Sequence, residues 1–192
     1  MHMRKIIPAA FAAALLVGSS LVATAATMAD GVPVTVGGQP MFASKDIVDN
    51  AVNSADHTTL VAAVKVAGLV DTLKSKGPFT VFAPTNEAFA ELPAGTVPTL
   101  LKPENKAMLT KVLTYHVVPG RLDFAALHKM ITAGNGKATL KTVAGETLTV
   151  MMNGPHNIVV EDAKGDVAQI TTYDVTQSNG VIQVIDKVLL PG

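Results

Sequence analysis

Apolar residues follow a helical spacing in the first half of the chain and a strand-like alternation in the second. Ser44 can cap a helix carrying Ile47, Val48, Ala51 and Val52, and a second stripe at Leu60, Ala63, Val64 and Ala67 stops at Gly68. Leu69 to Lys74 reads as a short third helix. Gly77-Pro78 breaks the chain, and Phe79-Thr80-Val81-Phe82-Ala83 alternates and β-branches as a strand does. Pro84-Thr85 opens a helix over Asn86 to Leu92. Pro103 suits the start of another, Glu104 to His116, with its apolar stripe at Leu109, Val112, Leu113 and His116. Val117-Val118 ends at Pro119-Gly120, and Phe124, Leu127 and Ile131 mark one more helix.

Beyond Gly134-Asn135-Gly136 strands dominate: Leu140 to Thr142, Thr147 to Met152, Ile158 to Val160, Val167 to Thr171 and Val181 to Leu190. Ala144-Gly145, Asn153-Gly154, Lys164-Gly165 and Asn179-Gly180 supply turns between them. Helices first and antiparallel strands afterwards predict an α+β domain, and no repeat of solenoid period is visible.

Upstream, Arg4-Lys5 precede a mainly apolar run, Ile6 to Val17, followed by Gly18-Ser19-Ser20 and the small-residue site Ala23-Thr24-Ala25. This pattern predicts a cleaved signal peptide over 1–25. A membrane anchor fits less well, because a span needs about 20 consecutive apolar residues, and Lys5 after Arg4 favours the general secretory route. Removing 25 of 192 residues leaves 167, enough for a single domain with a real core. Asp30 to Phe42 is rich in Gly and Pro, so 26–43 is expected to be a loose leader and 44–191 the domain.

Composition narrows the function. The whole chain balances 15 basic against 15 acidic residues, and loss of Arg4 and Lys5 leaves 13 against 15, a net −2. Nucleic acid is therefore not an expected partner. Arg121 is the one arginine of the mature chain, which argues against forked recognition of phosphate. Cysteine is absent, so disulfides, thiol nucleophiles and thiolate-bound metals are excluded.

Catalytic patterns are equally scarce. Ser44, Ser54, Ser75 and Ser178 lie in no Gly-x-Ser-x-Gly elbow or Ser-x-x-Lys box, and His57, His116, His128 and His156 form no metal-binding pair. Gly134-Asn135-Gly136 lacks the third glycine of a dinucleotide loop. Glu161, Asp162 and Asp166 lack calcium-loop spacing and read as a solvated hairpin tip. Lys164-Gly165-Asp166 is similar to integrin-binding tripeptides but is explained by a turn alone. No catalytic residue, metal or cofactor is expected.

Three segments resemble the fasciclin-like domain family. Gly77 to Phe89 is similar to its first sequence box, Leu113-Thr114-Tyr115-His116-Val117-Val118-Pro119-Gly120 to its central Tyr-His segment, and Asn179 to Pro191 to its closing box. The resemblance covers Ser44 to Pro191 and implies a wedge-like, mostly antiparallel α+β domain with a helical layer from its N-terminal half. It implies adhesion without catalysis in an exported, periplasmic or secreted protein, and the mature chain is expected to be a monomer with no membrane span. Tyr115 and His116 occupy the segment linked to receptor binding in animal members. Gln183 stands where the closing box often has His, so no role of that imidazole carries over.

The boxes also carry a structural reading. Alternation sends Phe79 and Val81 to one face and Thr80 and Phe82 to the other, as a strand covered on both sides requires. Pro84 removes a donor, and Thr85 can accept from the amides that open the next helix. Thr80, Phe82, Pro84, Thr85, Asn86 and Phe89, with Asn179, Gly180 and Asp186 in the closing box, are the expected fold-specifying positions. His116 on an apolar stripe is expected to pack as a neutral ring with a satisfied nitrogen. The reading is an exported interaction protein that contacts a protein or glycan on a cell or envelope surface, with Tyr115 as the aromatic anchor where its ring is exposed. The alternative is a carrier of a small apolar ligand, with Met108, Met130, Met151 and Met152 around its pocket.

Overall fold

The computed structural model describes residues 33–192, so the expected signal peptide and the start of the leader lie outside the described residues. The rest of the leader is not loose. Strands β1 (Val34–Val36) and β2 (Gln39–Met41) pair as a hairpin that buries Val36 and Met41 in the main core. The two glycines at its turn, Gly37 and Gly38, both take positive φ. A Cβ on Gly37 would lie 2.5 Å from Ser54 Oγ, so only glycine lets the turn pack this closely.

Three helices follow: α1 (Ile47–Ala51), α2 (Thr58–Ala67) and α3 (Val70–Lys74). Asp46, rather than Ser44, caps α1 by accepting from the Asp49 amide. Gly68 ends α2 in the left-handed conformation, as its position predicts. Strand β3 (Phe79–Pro84) comes next and leads into α4 (Asn86–Ala90), where Thr85 Oγ1 accepts from the Ala88 amide at 3.2 Å. Helix α5 (Thr96–Leu100) has no counterpart in the sequence expectations, and its Pro98 and Thr96 explain why. The expected Glu104–His116 helix is a 3-10 turn, Pro103–Asn105, followed by α6 (Lys106–Tyr115), with His116 as its C-terminal cap.

Strand β4 (Val117–Pro119) and α7 (Phe124–Ala133) precede the strand-rich half, β5 (Lys137–Lys141), β6 (Thr147–Met152), β7 (Ile158–Glu161), β8 (Val167–Gln177) and β9 (Gly180–Ile185). Strand β8 runs past its expected end at Thr171 because register shifts let it bend and continue. Strand β9 stops at Ile185, before the expected Leu190. The main sheet has the order β4-β3-β9-β8-β7-β6-β5 and is antiparallel except for β3 against β9. It curls until its far end meets its start, where the Val143 amide donates to the Val117 carbonyl at 2.8 Å.

Alternation along β3 explains the two cores. Val81 and Ala83 join the apolar cluster built from α1 to α6, whereas Phe82 faces Leu127 and Ile131 of α7 and the inner residues of β5 to β8. The result is an α+β domain with its helical layer from the N-terminal half. Truncating a fully buried phenylalanine of this kind costs about 3–5 kcal/mol. Gly180 sets the distance between the two central strands, since a Cβ there would lie only 2.2 Å from the Phe79 carbonyl oxygen.

Candidate functional site

The expected fold-specifying residues tie distant segments together. Thr80 Oγ1 donates to the Gly120 carbonyl at 2.7 Å and accepts from the Leu122 amide at 2.8 Å, fixing the exit from β4. Asn86 Oδ1 accepts from the Thr59 amide at 2.9 Å, and its Nδ2 donates to the Ala55 carbonyl at 2.8 Å. The first turn of α2, which His57 does not cap with its side chain, thus finds its acceptor on α4. Asn179 Oδ1 accepts from the Ile47 amide at 3.0 Å, while its Nδ2 donates to the carbonyls of Leu73 and Ser75 at 2.7 and 2.9 Å. Asp186 Oδ1 accepts from the Gln169 amide at 2.7 Å. Pro84 closes β3, and Phe89 is buried in the helical core.

Tyr115 and His116 lie inside the molecule. The Tyr115 ring is 0% exposed, and its hydroxyl accepts from the Ala163 amide and donates to the Thr147 carbonyl, both at 2.9 Å. The condition on which Tyr115 would serve as an anchor, an exposed ring, is not met: the end of α6 points its last turn at the inner core, where the ring fills space among β-strand residues. His116 is 2% exposed with both nitrogens engaged. Nδ1 lies 2.8 Å from the Val112 carbonyl and Nε2 accepts from the Leu189 amide at 2.9 Å, which requires the hydrogen on Nδ1. Burial pushes the ring down to about 4 against a weaker pull upward from the Val112 carbonyl and Asp162, so the ring is neutral near pH 7.

In the acidic cluster Asp166 lies on an exposed tip as expected and Glu161 is half-buried, but Asp162 departs from that expectation. Asp162 is buried because its Oδ1 accepts from the amides of Lys164 and Asp166, and its Oδ2 accepts from the Leu190 amide at 2.8 Å. The Lys164-Gly165-Asp166 segment is the turn that this carboxylate organises between β7 and β8. Among the described residues no group of His, Asp and Glu is arranged to hold a metal ion. No helix among them is long and apolar enough to cross a membrane.

One concave feature stands out. A cavity of about 80 Å³ lies between the N-terminal helices and the face of the sheet that carries Val81, Val175 and Ile182. Its lining is apolar apart from Ser54, His57, Lys65, Thr72, Thr114 and His116. Lys65, Thr72 and Val143 are exposed, so the cavity reaches the surface. The methionines expected around an apolar pocket are elsewhere: Met108 is 60% exposed on α6, and neither it nor Met130, Met151 or Met152 lines the space. Met41, from the hairpin taken as a leader, does line it.

His57 is the polar group that sequence reasoning passed over. It is 3% exposed, Ser54 Oγ lies 2.9 Å from its Nδ1, and its Nε2 has no hydrogen-bond partner. Burial pushes its pKa down. The Ala83 carbonyl is close enough to favour protonation in part, yet no hydrogen bond of sound geometry reaches Nε2. The signal that points to this pair is Ser54-x-x-His57, one turn apart at the entrance to α2.

The sequence pattern of the Fasciclin domain matches residues 55–191. The chain is 50% identical over 147 residues to Protein sll1483 of Synechocystis sp., covering 76% of this chain and 73% of that protein. It is 38% identical over 146 residues to Immunogenic protein MPB70 of Mycobacterium bovis, covering 73% of this chain and 66% of that one. A solved FAS1 domain pair from the insect cell adhesion molecule fasciclin I superposes with a TM-score of 0.68 at 18% identity, over 76% of this chain and 51% of that chain. The curled sheet with its helical layer is therefore the FAS1 fold, and the chain belongs to the Fasciclin domain family.

Proposed function

We propose that this is an exported, non-enzymatic interaction protein, freed of residues 1–25, that mediates cell adhesion or contact with a protein or glycan of a surface or envelope. The observation that carries this reading is the Fasciclin domain spanning residues 55–191. With Tyr115 and His116 inside, the contact falls to outward groups, of which Met108 on α6 is the most exposed large apolar side chain among the described residues. An exposed methionine adapts its shape to a partner surface. Attachment of cells lacking the protein tests the reading: attachment falls and is restored by the wild-type chain but not by Met108→Lys. Unchanged attachment in the deletion strain overturns it.

The apolar cavity favours a second reading, carriage of a small apolar ligand. Native mass spectrometry of protein from its own envelope fraction reads this directly. A discrete mass increment, absent after denaturation, supports carriage.

A further inference from the structure

We propose that Asn153 is a site of spontaneous deamidation, the member of three Asn-Gly pairs that the fold leaves open to it, and that the protein gains a carboxylate there as it ages. Asn135-Gly136, Asn153-Gly154 and Asn179-Gly180 share the same dipeptide, so what separates them is their surroundings in the fold.

The reaction uses the asparagine carboxamide and the backbone nitrogen that follows it. Hydroxide removes the glycine amide proton, and the nitrogen attacks Cγ of the asparagine. The N–Cγ bond forms, the Cγ–Nδ2 bond breaks, and Nδ2 takes a proton from water and leaves as ammonia, so a cyclic imide remains. Water then opens the imide at either of its carbonyl carbons. Opening at Cγ gives aspartate, and opening at the backbone carbonyl gives isoaspartate. Glycine in the second place helps because, without a Cβ, it brings its nitrogen to the side chain in conformations other residues avoid. The fold must therefore leave two groups free, the carboxamide and the glycine N–H.

Asn153-Gly154 meets both conditions. The pair sits exposed in the bend between β6 and β7. The Asn153 amide donates to the Asn157 carbonyl at 2.7 Å and closes the neck of that bend. Among the described residues, neither the Asn153 carboxamide nor the Gly154 amide has a hydrogen-bond partner. A Cβ built on Gly154 would meet nothing within 4 Å, so the space for rearrangement is open.

The other two pairs are held. Asn135 is exposed, but the Gly136 amide donates to the Ile131 carbonyl at 2.9 Å at the end of α7, and attack requires that bond to break. Asn179 is 7% exposed, and its carboxamide is engaged by the Ile47 amide and by the carbonyls of Leu73 and Ser75. Gly180 is fixed in β9 between Phe79 and Gln177. Reaction at Asn179 waits for the core to open.

The mature chain, incubated at mildly alkaline pH with and without unfolding urea, is digested and the three peptides are followed by mass spectrometry. In the folded chain Asn153 is expected to convert about two- to tenfold faster than Asn135, the worth of one hydrogen bond, with Asn179 last. In urea the three rates converge. A folded-state rate at Asn135 or Asn179 that equals or exceeds the rate at Asn153 overturns the proposal. A hierarchy that persists in urea also overturns it, because the cause then lies in neighbouring residues and not in the fold. Asn153→Gln keeps a carboxamide but moves it one carbon away from the Gly154 nitrogen, and it removes the first acidic species seen on charge-based separation of the folded protein. An acidic species that still forms at the wild-type rate places the reaction elsewhere and overturns the assignment.

Discussion

Gln183 and Asp174 hold each other through two hydrogen bonds: the Asp174 amide donates to Gln183 Oε1 at 3.1 Å, and Gln183 Nε2 donates to Asp174 Oδ1 at 3.0 Å. Asp174 has φ +56°, a left-handed conformation that costs a non-glycine residue about 1–3 kcal/mol. The same carboxylate oxygen accepts from the Phe124 amide at 2.8 Å, so the bend in β8 is pinned to the start of α7. Glutamine suits this position because its amide donates and accepts at once.

Gln183→Leu is expected to cost about 1–3 kcal/mol, since it removes the partner of the half-buried Asp174 amide and one of the two donors to its carboxylate oxygen. Urea unfolding monitored by circular dichroism measures the loss. A midpoint equal to that of the wild type contradicts this account.

Stability should fall in mild acid through His116. The folded ring titrates at about 4 and an unfolded histidine at about 6.5, so the unfolded chain binds the extra proton between those values. The contribution is complete above about pH 6.5 and is lost as pH falls toward 4, by an amount on the order of 3 kcal/mol. His57, also pushed down by burial, adds in the same direction. His116→Gln keeps a donor and an acceptor without the titration, and its unfolding free energy should change less between pH 7 and pH 5. Equal pH slopes in the two proteins would argue against His116 as the source.

Tyr115→Phe removes only the hydroxyl that links Ala163 to Thr147 and should cost about 1–3 kcal/mol. Tyr115→Ala adds a cavity and should cost about 3–5 kcal/mol. At temperatures where each variant remains folded, attachment should match the wild type, because the ring never reaches the surface. Loss of attachment by a fully folded Tyr115→Phe protein contradicts that placement.

Asn179→Ala breaks three bonds to the α1 and α3 region at once. Amide exchange at Ile47 should accelerate more than exchange at Leu148, which lies in the other core. Uniform acceleration at both sites would show that Asn179 acts on global stability alone.

Much of this architecture was legible in residue order. The two-sided alternation at Phe79 to Phe82 marked the central strand, and Gly68 marked the end of α2. The hairpin at residues 34–41 was obscured by its glycines and prolines, although Val34 and Val36 alternate and Gly37-Gly38 is a turn dipeptide. The bend at Asp174 was not legible, because an aspartate in a left-handed conformation follows from Gln183, a partner on another strand. His116 on the apolar stripe pointed inward by pattern, whereas the burial of Tyr115 beside it was not legible, because only the curl of the sheet supplies the strands around its ring. The cavity depends on how helices settle on the sheet, so composition placed it among the wrong methionines.

The parallel pairing of β3 with β9 has a kinetic consequence. Phe79 meets Gly180 only after every intervening element has been made, so β3 waits for the final strand of the chain. Closing so long a loop precedes the contacts that reward it, which slows the search for the native state. A ribosome-bound chain that lacks β9 leaves one edge of β3 open, and the nascent protein commits to its final shape late in synthesis.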